Sequence, residues 1–352
     1  MFAALFRRRA IGVDLGSRHL KMVELERRGR QLSLVNYSVT SLSWSGSFGS
    51  LIGTSQLFEE NLANLLREGM REFQARDAVV VLPAPFLFTS SFSLPNLPAR
   101  SLPAALQYET KKYLPGAPEE VEPVFRTVRF SNPNGNGQQR WLAFLVGIPT
   151  SLVTKVKVAT QLAGLRFRLS QPEFFCYEWF FREKIESEYN MVVDIGVGYT
   201  TLVICQGRQV VVGKKLKFKL HDLIENIAKL MGTSLDTAEA FFVKHGFILP
   251  EAVVNVAEHL EAHIQLLARE LIAELREHEE RFSSPITTTF VCGGIVLVPG
   301  FTARLNAAIG TRPIIALDPF ASLTNVPEAP AVRSRTSLFA GAIGVCGRYL
   351  VG

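Results

Sequence analysis

The chain has 352 residues, of which 47% are hydrophobic and 20% charged, and carries a net charge of +6. That length bounds it to two domains, or to one that has taken insertions, with enough apolar residues for a sizeable core. The mild basic excess favours acidic surfaces or phosphates, and no RNA- or DNA-binding signature accompanies it, so nucleic acid is not an expected partner.

The opening MFAALFRRR places its short apolar run before the basic cluster, the reverse of a signal peptide. These nine residues are expected to fray, with attachment to a lipid surface through the arginines as the alternative. No stretch approaches the length of a membrane span. The stretch IGVDLGSRHLKMVEL, 11–25, then reads as a strand, a tight turn and a second strand, with Asp14 at the end of the first. Further on, Ser101 is a candidate cap for a helix from about 102 to 114, which Pro115 ends. Residues 125–130 and 141–148 are strand-like, and SNPNGNGQQ between them is expected to be a flexible loop.

The opening phrase recurs. VDLGSRHLKMVELERRGRQLSL, 13–34, and VDIGVGYTTLVICQGRQVVV, 193–212, share Val-Asp-hydrophobic-Gly, a polar turn, an apolar strand and a Gly-Arg-Gln turn. Two meanders of one design, 180 residues apart, indicate a duplicated α/β unit, one copy per lobe. Glycines in such turns let backbone amides approach phosphate oxygens. A carboxylate at the end of a buried strand is costly unless a cation engages it. Facing turns with Asp14 and Asp194 would therefore hold a polyphosphate and its Mg²⁺, the aspartates reaching the metal through water. Lys21, Thr200 and Thr201 are the candidate partners of the phosphates.

After the second meander, Lys215, Lys217 and Lys219 alternate with Leu216, Phe218 and Leu220, as in a strand with one basic and one apolar face. Residues 251–282 have apolar positions at helical spacing, predicting a long helix or a kinked pair that packs on a core, with self-association as a further use of that face. TTTFVCGGIVLVPGF, 287–301, reads as a strand running into Gly293-Gly294, then Pro299-Gly300 and a helix from about Thr302. Cys176, Cys205, Cys292 and Cys346 lie far apart in apolar surroundings and are expected to be buried free thiols. His259 and His263 stand four apart without the HExxH pattern of a zinc enzyme.

In this order the three motifs resemble those of the actin/Hsp70/sugar-kinase superfamily. Asp14, Gly16, Ser17 and Lys21 match the first phosphate motif, in whose turn Arg18 and His19 replace small residues, and Asp194, Gly196, Thr200 and Thr201 match the second; the resemblance implies nucleotide contacts from Arg18 and Gly198 as well. Gly293, Gly294 and Ile295, followed by Pro299-Gly300, match the adenosine motif. SLFAGAIGVCGRYL, 337–350, resembles a helix that crosses back to the first lobe, and SQPEFFCYEWFF, 170–181, the other crossing. Within the superfamily, VVVLPAPFLFTSSFSLPNLPARSLPAALQYETKKYLPGAPEEVEPVFRTV, 79–128, is similar to the type IV pilus assembly family PilM, relatives of the cell-division protein FtsA.

The resemblance implies an α/β chain with the actin-like ATPase fold: two RNase H-like lobes and an FtsA-type 1C subdomain inserted in the first. The first lobe would comprise 1–85, 166–186 and 332–352, the insert 86–165, and the second lobe 187–331, with its 2B part at about 214–285. It implies ATP or ADP with Mg²⁺ between the lobes, and Glu239 as the acidic contact of the ribose. Asp14 and Asp194 would be the catalytic pair, with Gln171 and Glu173 the candidates for positioning an attacking water. The family's Gly-Gly is absent near 215–220 and its Lys is Phe242 here, so at most weak ATP hydrolysis is expected.

Implied partners are the N-terminal cytoplasmic peptide of the membrane protein PilN, in a groove between 1A and 1C, the pilus motor ATPases, and further copies in a dimer, ring or filament. The implied location is the cytoplasm, peripheral to the inner membrane through those partners. A sugar-type kinase of the same superfamily is the alternative, but residues 60–100 supply mostly Leu, Pro, Phe and Ser rather than a polar sugar pocket. An FtsA-like cell-division protein is the other, and the ending RYLVG lacks an amphipathic membrane helix.

Overall fold

A computed structural model describes residues 7–42, 57–115, 119–131, 138–185, 187–248, 254–310, 312–327 and 336–352. Most of SNPNGNGQQ and the first six residues lie outside these ranges. The chain opens with β1 (Arg8–Leu15), β2 (His19–Arg28) and β3 (Gln31–Ser41), then α1 (Phe58–Gly69) and β4 (Asp77–Leu82). The insert follows as β5 (Phe88–Leu94), α2 (Leu102–Tyr113), β6 (Val121–Ser131) and β7 (Gln139–Pro149). Next come α3 (Thr150–Leu162), β8 (Arg166–Pro172) and the short α4 (Glu173–Cys176), prolonged as a 3₁₀ turn to Phe181.

The second lobe runs through β9 (Tyr189–Ile195), β10 (Thr200–Gln206), β11 (Gln209–Leu216), α5 (Leu220–Met231), α6 (Leu235–His245) and α7 (Val254–Phe282). It continues with β12 (Ile286–Cys292), α8 (Phe301–Ile309) and β13 (Ile314–Ala316), and α9 (Ala340–Val351) ends the chain.

The sequence repeat is a structural repeat. One sheet has the order β3-β2-β1-β4-β8 and the other β11-β10-β9-β12-β13. In each, an antiparallel meander is joined to two parallel strands through its first strand. The central strands are apolar on both faces and buried, as helices on either side require. Gly29 and Gly207, with φ of 63° and 53°, make the same turn between the second and third strands of each meander.

Helix α9 packs on α4 and its 3₁₀ extension, and small residues set their approach. A Cβ on Gly344 would stand 2.1 Å from the Cys176 carbonyl oxygen. The long segment forms one 29-residue helix, α7, whose Leu260, Ile264, Leu267 and Leu271 pack into the second-lobe core. All four cysteines are free and buried.

Several expectations are corrected. Strands β5, β7 and β6 form a separate three-stranded sheet, and with α2 they enclose their own core of Phe92, Leu94, Leu102, Leu106, Ala143 and Leu145. That sheet ends at Pro149, short of the boundary at 165 expected for the insert. Leu152, Val156, Ala159 and Ala163 put an apolar stripe of α3 against Phe58, Leu62 and Leu66 of α1, in the first-lobe core. The chain also returns to the first lobe before residue 332. Thr324 N donates to Leu32 O at 2.8 Å and accepts Leu34 N on its carbonyl at 3.0 Å, while Phe320 packs on Phe339.

Ser101 stands at the N-cap of α2 as expected, but its side chain makes no capping hydrogen bond, because it ends a 3₁₀ turn, Ala99–Ser101, that leads into the helix. Strand β11 stops at Leu216, yet Lys217 and Lys219 stay exposed and Phe218 and Leu220 buried, because the connection to α5 remains extended at Lys219. Arg8 and Arg9 do not fray. They begin β1, with Arg8 over the Tyr349 ring and Arg9 paired to Glu26 at 2.6 Å.

Candidate functional site

A cavity of about 550 Å³ lies between the lobes. Its polar end is built from the two hairpin turns. Gly16 N donates to His19 O at 3.1 Å and Gly196 N to Tyr199 O at 3.0 Å, so both turns close with the same bond at the same position. Strand register sets Asp14 opposite Lys21 and Asp194 opposite Thr201.

Lys21 Nζ reaches Asp14 Oδ2 at 2.7 Å. Burial alone would lower its pKa, but Asp14 and Asp194 outweigh it and raise it, so the ammonium is charged. Asp194 Oδ2 accepts from Tyr177 Oη at 2.7 Å, and burial pushes its carboxyl up, against the pull of Lys21. Glu173, at the start of α4, accepts from Ala84 N at 3.0 Å and from Tyr199 Oη at 2.9 Å. Burial, then the nearby Asp194, pushes its pKa up to about 7. His19, half-buried beside Lys21 and Arg18, is lowered by desolvation and then by these two cations to about 4 and is neutral. Three carboxyls thus share one lysine, and the site gains if a further cation arrives with an anionic ligand.

The fit of a hydrated Mg²⁺ and a polyphosphate is tested by the glycines. A Cβ on Gly341 would lie 3.0 Å from Asp14 Oδ2. A Cβ on Gly293, which sits at φ 89°, would lie 2.6 Å from Asp194 Oδ1 and 2.4 Å from Ile195 O. Both carboxylates therefore keep an approach that any side chain would fill. Among the described residues no cluster of three or more metal-ligating side chains exists, so a cation here would take its remaining ligands from water and phosphate. The residues present fit the group. The other end of the cavity is apolar, lined by Ile224, Phe242, Val243, Leu297, Val298 and Leu338, with Gly293 and Gly294 as its floor.

Of the residues expected at the site, Asp14, Gly16, Ser17, Arg18, Lys21, Asp194, Gly196, Glu239, Gly293 and Gly294 line this cavity. Thr200 and Thr201 do not. They begin β10, are fully buried, and the cavity wall stops at Tyr199. Ile295 is likewise buried, its side chain in the second-lobe core. Gln171 lies in β8 beside Cys176 and leaves the place at the cavity to Glu173. Gly198 sits beneath Ser17, its amide donating to Ser17 Oγ at 2.8 Å. Tyr177 and Tyr199 went unforeseen. Their spacing carried a signal, since Tyr177 stands four residues after Glu173 and Tyr199 directly precedes Thr200.

Two lobes of one strand order, with mirrored Asp-x-Gly turns facing across a cleft, define an actin-like ATPase fold. A sequence model of the type IV pilus assembly protein PilM family matches residues 12–348, and the chain belongs to that family. Among solved structures, a PilM-PilN type IV pilus biogenesis complex superimposes with a TM-score of 0.77 at 20% identity, over 97% of this chain and 98% of that one. The ethanolamine utilization protein EutJ of Carboxydothermus hydrogenoformans gives 0.57 at 13% identity, over 99% and 91% of the two chains. MreB 5 of Spiroplasma citri bound to AMPPNP gives 0.50 at 13% identity, over 96% and 94%. At these identities the structural likenesses establish the fold. Among the described residues no helix is long and apolar enough to cross a membrane.

Proposed function

We propose that the chain is a nucleotide-responsive scaffold of the type IV pilus assembly platform, holding ATP or ADP with Mg²⁺ between its lobes. The observation that carries this is the pairing of the two turns: Asp14 with Lys21 on one side of the cavity and Asp194 with Tyr177 on the other. In this reading Lys21 binds phosphate and the two aspartates hold the waters of the metal. The apolar end receives the base, and Glu239 faces the sugar. Bound Mg²⁺ supplies charge neutralisation for the phosphates.

Glu173 is the residue of this chain best placed to hold or give up a proton near neutral pH, because its carboxyl, at about 7, lines the same cavity. Weak hydrolysis at most is expected, since Phe242 stands where relatives carry a lysine and the second turn's threonines are withdrawn into the sheet.

The partner in this reading is the N-terminal cytoplasmic peptide of PilN, lying in a groove between the first lobe and the insert. The likeness of this chain to a PilM solved in complex with PilN supports it. In this reading the groove would be flanked by the connections between lobe and insert, Ala84–Phe86 before β5 and Pro149–Thr150 after β7. Glu173, which lines the cavity, accepts the Ala84 amide, and this bond would couple such a groove to the cavity. Pilus motor ATPases and further copies of the chain remain partners by family likeness, and attachment to the inner membrane would come through these proteins. The test is calorimetric titration of Mg·ATP into wild type and Asp194→Ala. Binding by wild type and its loss in the variant are expected; equal binding by both would refute the site assignment.

A further inference from the structure

Among the described residues, Ser17 and Arg18 of the first-lobe turn reach across to the second lobe at the cavity. Ser17 Oγ accepts from Gly198 N at 2.8 Å. A Cβ on Gly198 would stand 2.8 Å from the Ser17 Cβ, so the two turns touch. One residue on, Arg18 Nη2 donates to Asp236 Oδ1 at 2.7 Å and to Glu239 Oε2 at 3.0 Å, and its Nε donates to Glu239 Oε2 at 3.2 Å. The Arg18 side chain is only 11% exposed and that of Glu239 18%, whereas Asp236 at the rim is 74% exposed.

The chemistry of these contacts is that of a ligand. A hydroxyl oxygen receiving an amide of the second turn stands where a phosphate oxygen would. A guanidinium donating to the Glu239 carboxylate stands where sugar hydroxyls would donate. We propose that Ser17 and Arg18 form an internal latch that holds the lobes together without nucleotide, by taking the contacts a nucleotide would use. Entry of the ligand then requires the latch to open, and the occupied state differs from the empty one by exchange of these contacts. The proposal rests on the nucleotide reading only in naming what displaces the latch; the latch itself joins two lobes whatever the ligand.

The test follows the distance between the lobes in the full-length protein. Nitroxides on cysteines placed at the exposed Glu60 of α1 and Lys244 of α6 report it by double electron–electron resonance. The four native thiols are buried, which favours labelling at the introduced ones. Without nucleotide, Arg18→Ala is expected to lengthen and broaden the distance relative to the parent protein. Asp236→Ala, made from the opposite lobe, is expected to move it in the same direction by less. Arg18→Lys, which keeps the charge but not the fork, falls between them. Since a partly buried charge-assisted contact, with two N–H groups on one Glu239 oxygen, exceeds an exposed pair in strength, Arg18→Ala is also expected to bind Mg·ATP about tenfold more tightly.

Unchanged distances in both Arg18→Ala and Asp236→Ala would overturn the latch. Weaker Mg·ATP binding by Arg18→Ala would overturn it too, by making Arg18 a ligand contact rather than a competitor. A lengthened distance in a protein that binds no Mg·ATP in any form would sustain the latch and sink the nucleotide reading instead.

Discussion

Glu173 gives the sharpest test of the electrostatics of the cavity. Its carboxyl moves from an ordinary 4.5 in the unfolded chain to about 7 in the fold, mainly by burial and then by Asp194. The folded state therefore binds this proton more tightly than the unfolded state. Stability is greatest below the unfolded value and falls as pH rises from 4.5 through about 7, levelling off above it. At about 1.4 kcal/mol for each pH unit between the two values, the loss amounts to about 3 kcal/mol by pH 8. Glu173→Gln keeps an acceptor for the Ala84 amide and cannot ionise.

The quantity to read is the variant's stability minus that of wild type, from urea unfolding at several pH values from 4.5 to 8. It should become more favourable to the variant by about 3 kcal/mol across that range. With a urea slope of about 3 kcal/mol/M, this is a midpoint shift of about 1 M. A difference that stays flat from pH 5 to 8, or grows in favour of wild type, would refute the reasoning.

Glu178, buried in the crossing segment, accepts from Arg126 of the insert at 2.8 and 3.1 Å, from Arg348 of α9, and from Val210 N of β11 at 3.1 Å. Glu178→Ala should cost about 3 kcal/mol, because the arginines and the amide lose their acceptor together. The cost is readable in a thermal melt, and faster tryptic cutting of the insert should accompany it. Gly344→Ala would place a methyl 2.1 Å from the Cys176 carbonyl, so about 3 kcal/mol or more of stability should be lost as the crossing helices are forced apart. An unaltered melting temperature would contradict the close approach.

Much of this architecture was legible because it is local. The meanders follow from alternation and paired turn glycines, and the duplicated Asp-x-Gly phrase marks both carboxylates in the sequence itself. The free thiols followed from their apolar neighbours. What was illegible depends on packing between segments distant in sequence. The apolar stripe of α3 fits an inserted subdomain and the first-lobe core equally well until Phe58 and Leu62 of α1 are placed opposite it. Likewise Thr200 and Thr201 have the right chemistry for phosphate, but starting β10 at Thr200 buries both. Ile295 follows two cavity glycines and turns into the core instead. Arg18 stands in the sequence as a large residue where the family's turn has a small one; its partners lie more than 200 residues away, at 218 and 221 positions along the chain.

The central claim, that nucleotide in the cleft governs the partner surface, is tested most directly by titrating an N-terminal PilN peptide into the protein with and without Mg·ATP. The account predicts a several-fold change in peptide affinity on adding Mg·ATP to wild type, and no change in Asp194→Ala. The same peptide affinity with and without a nucleotide that wild type demonstrably binds would contradict it.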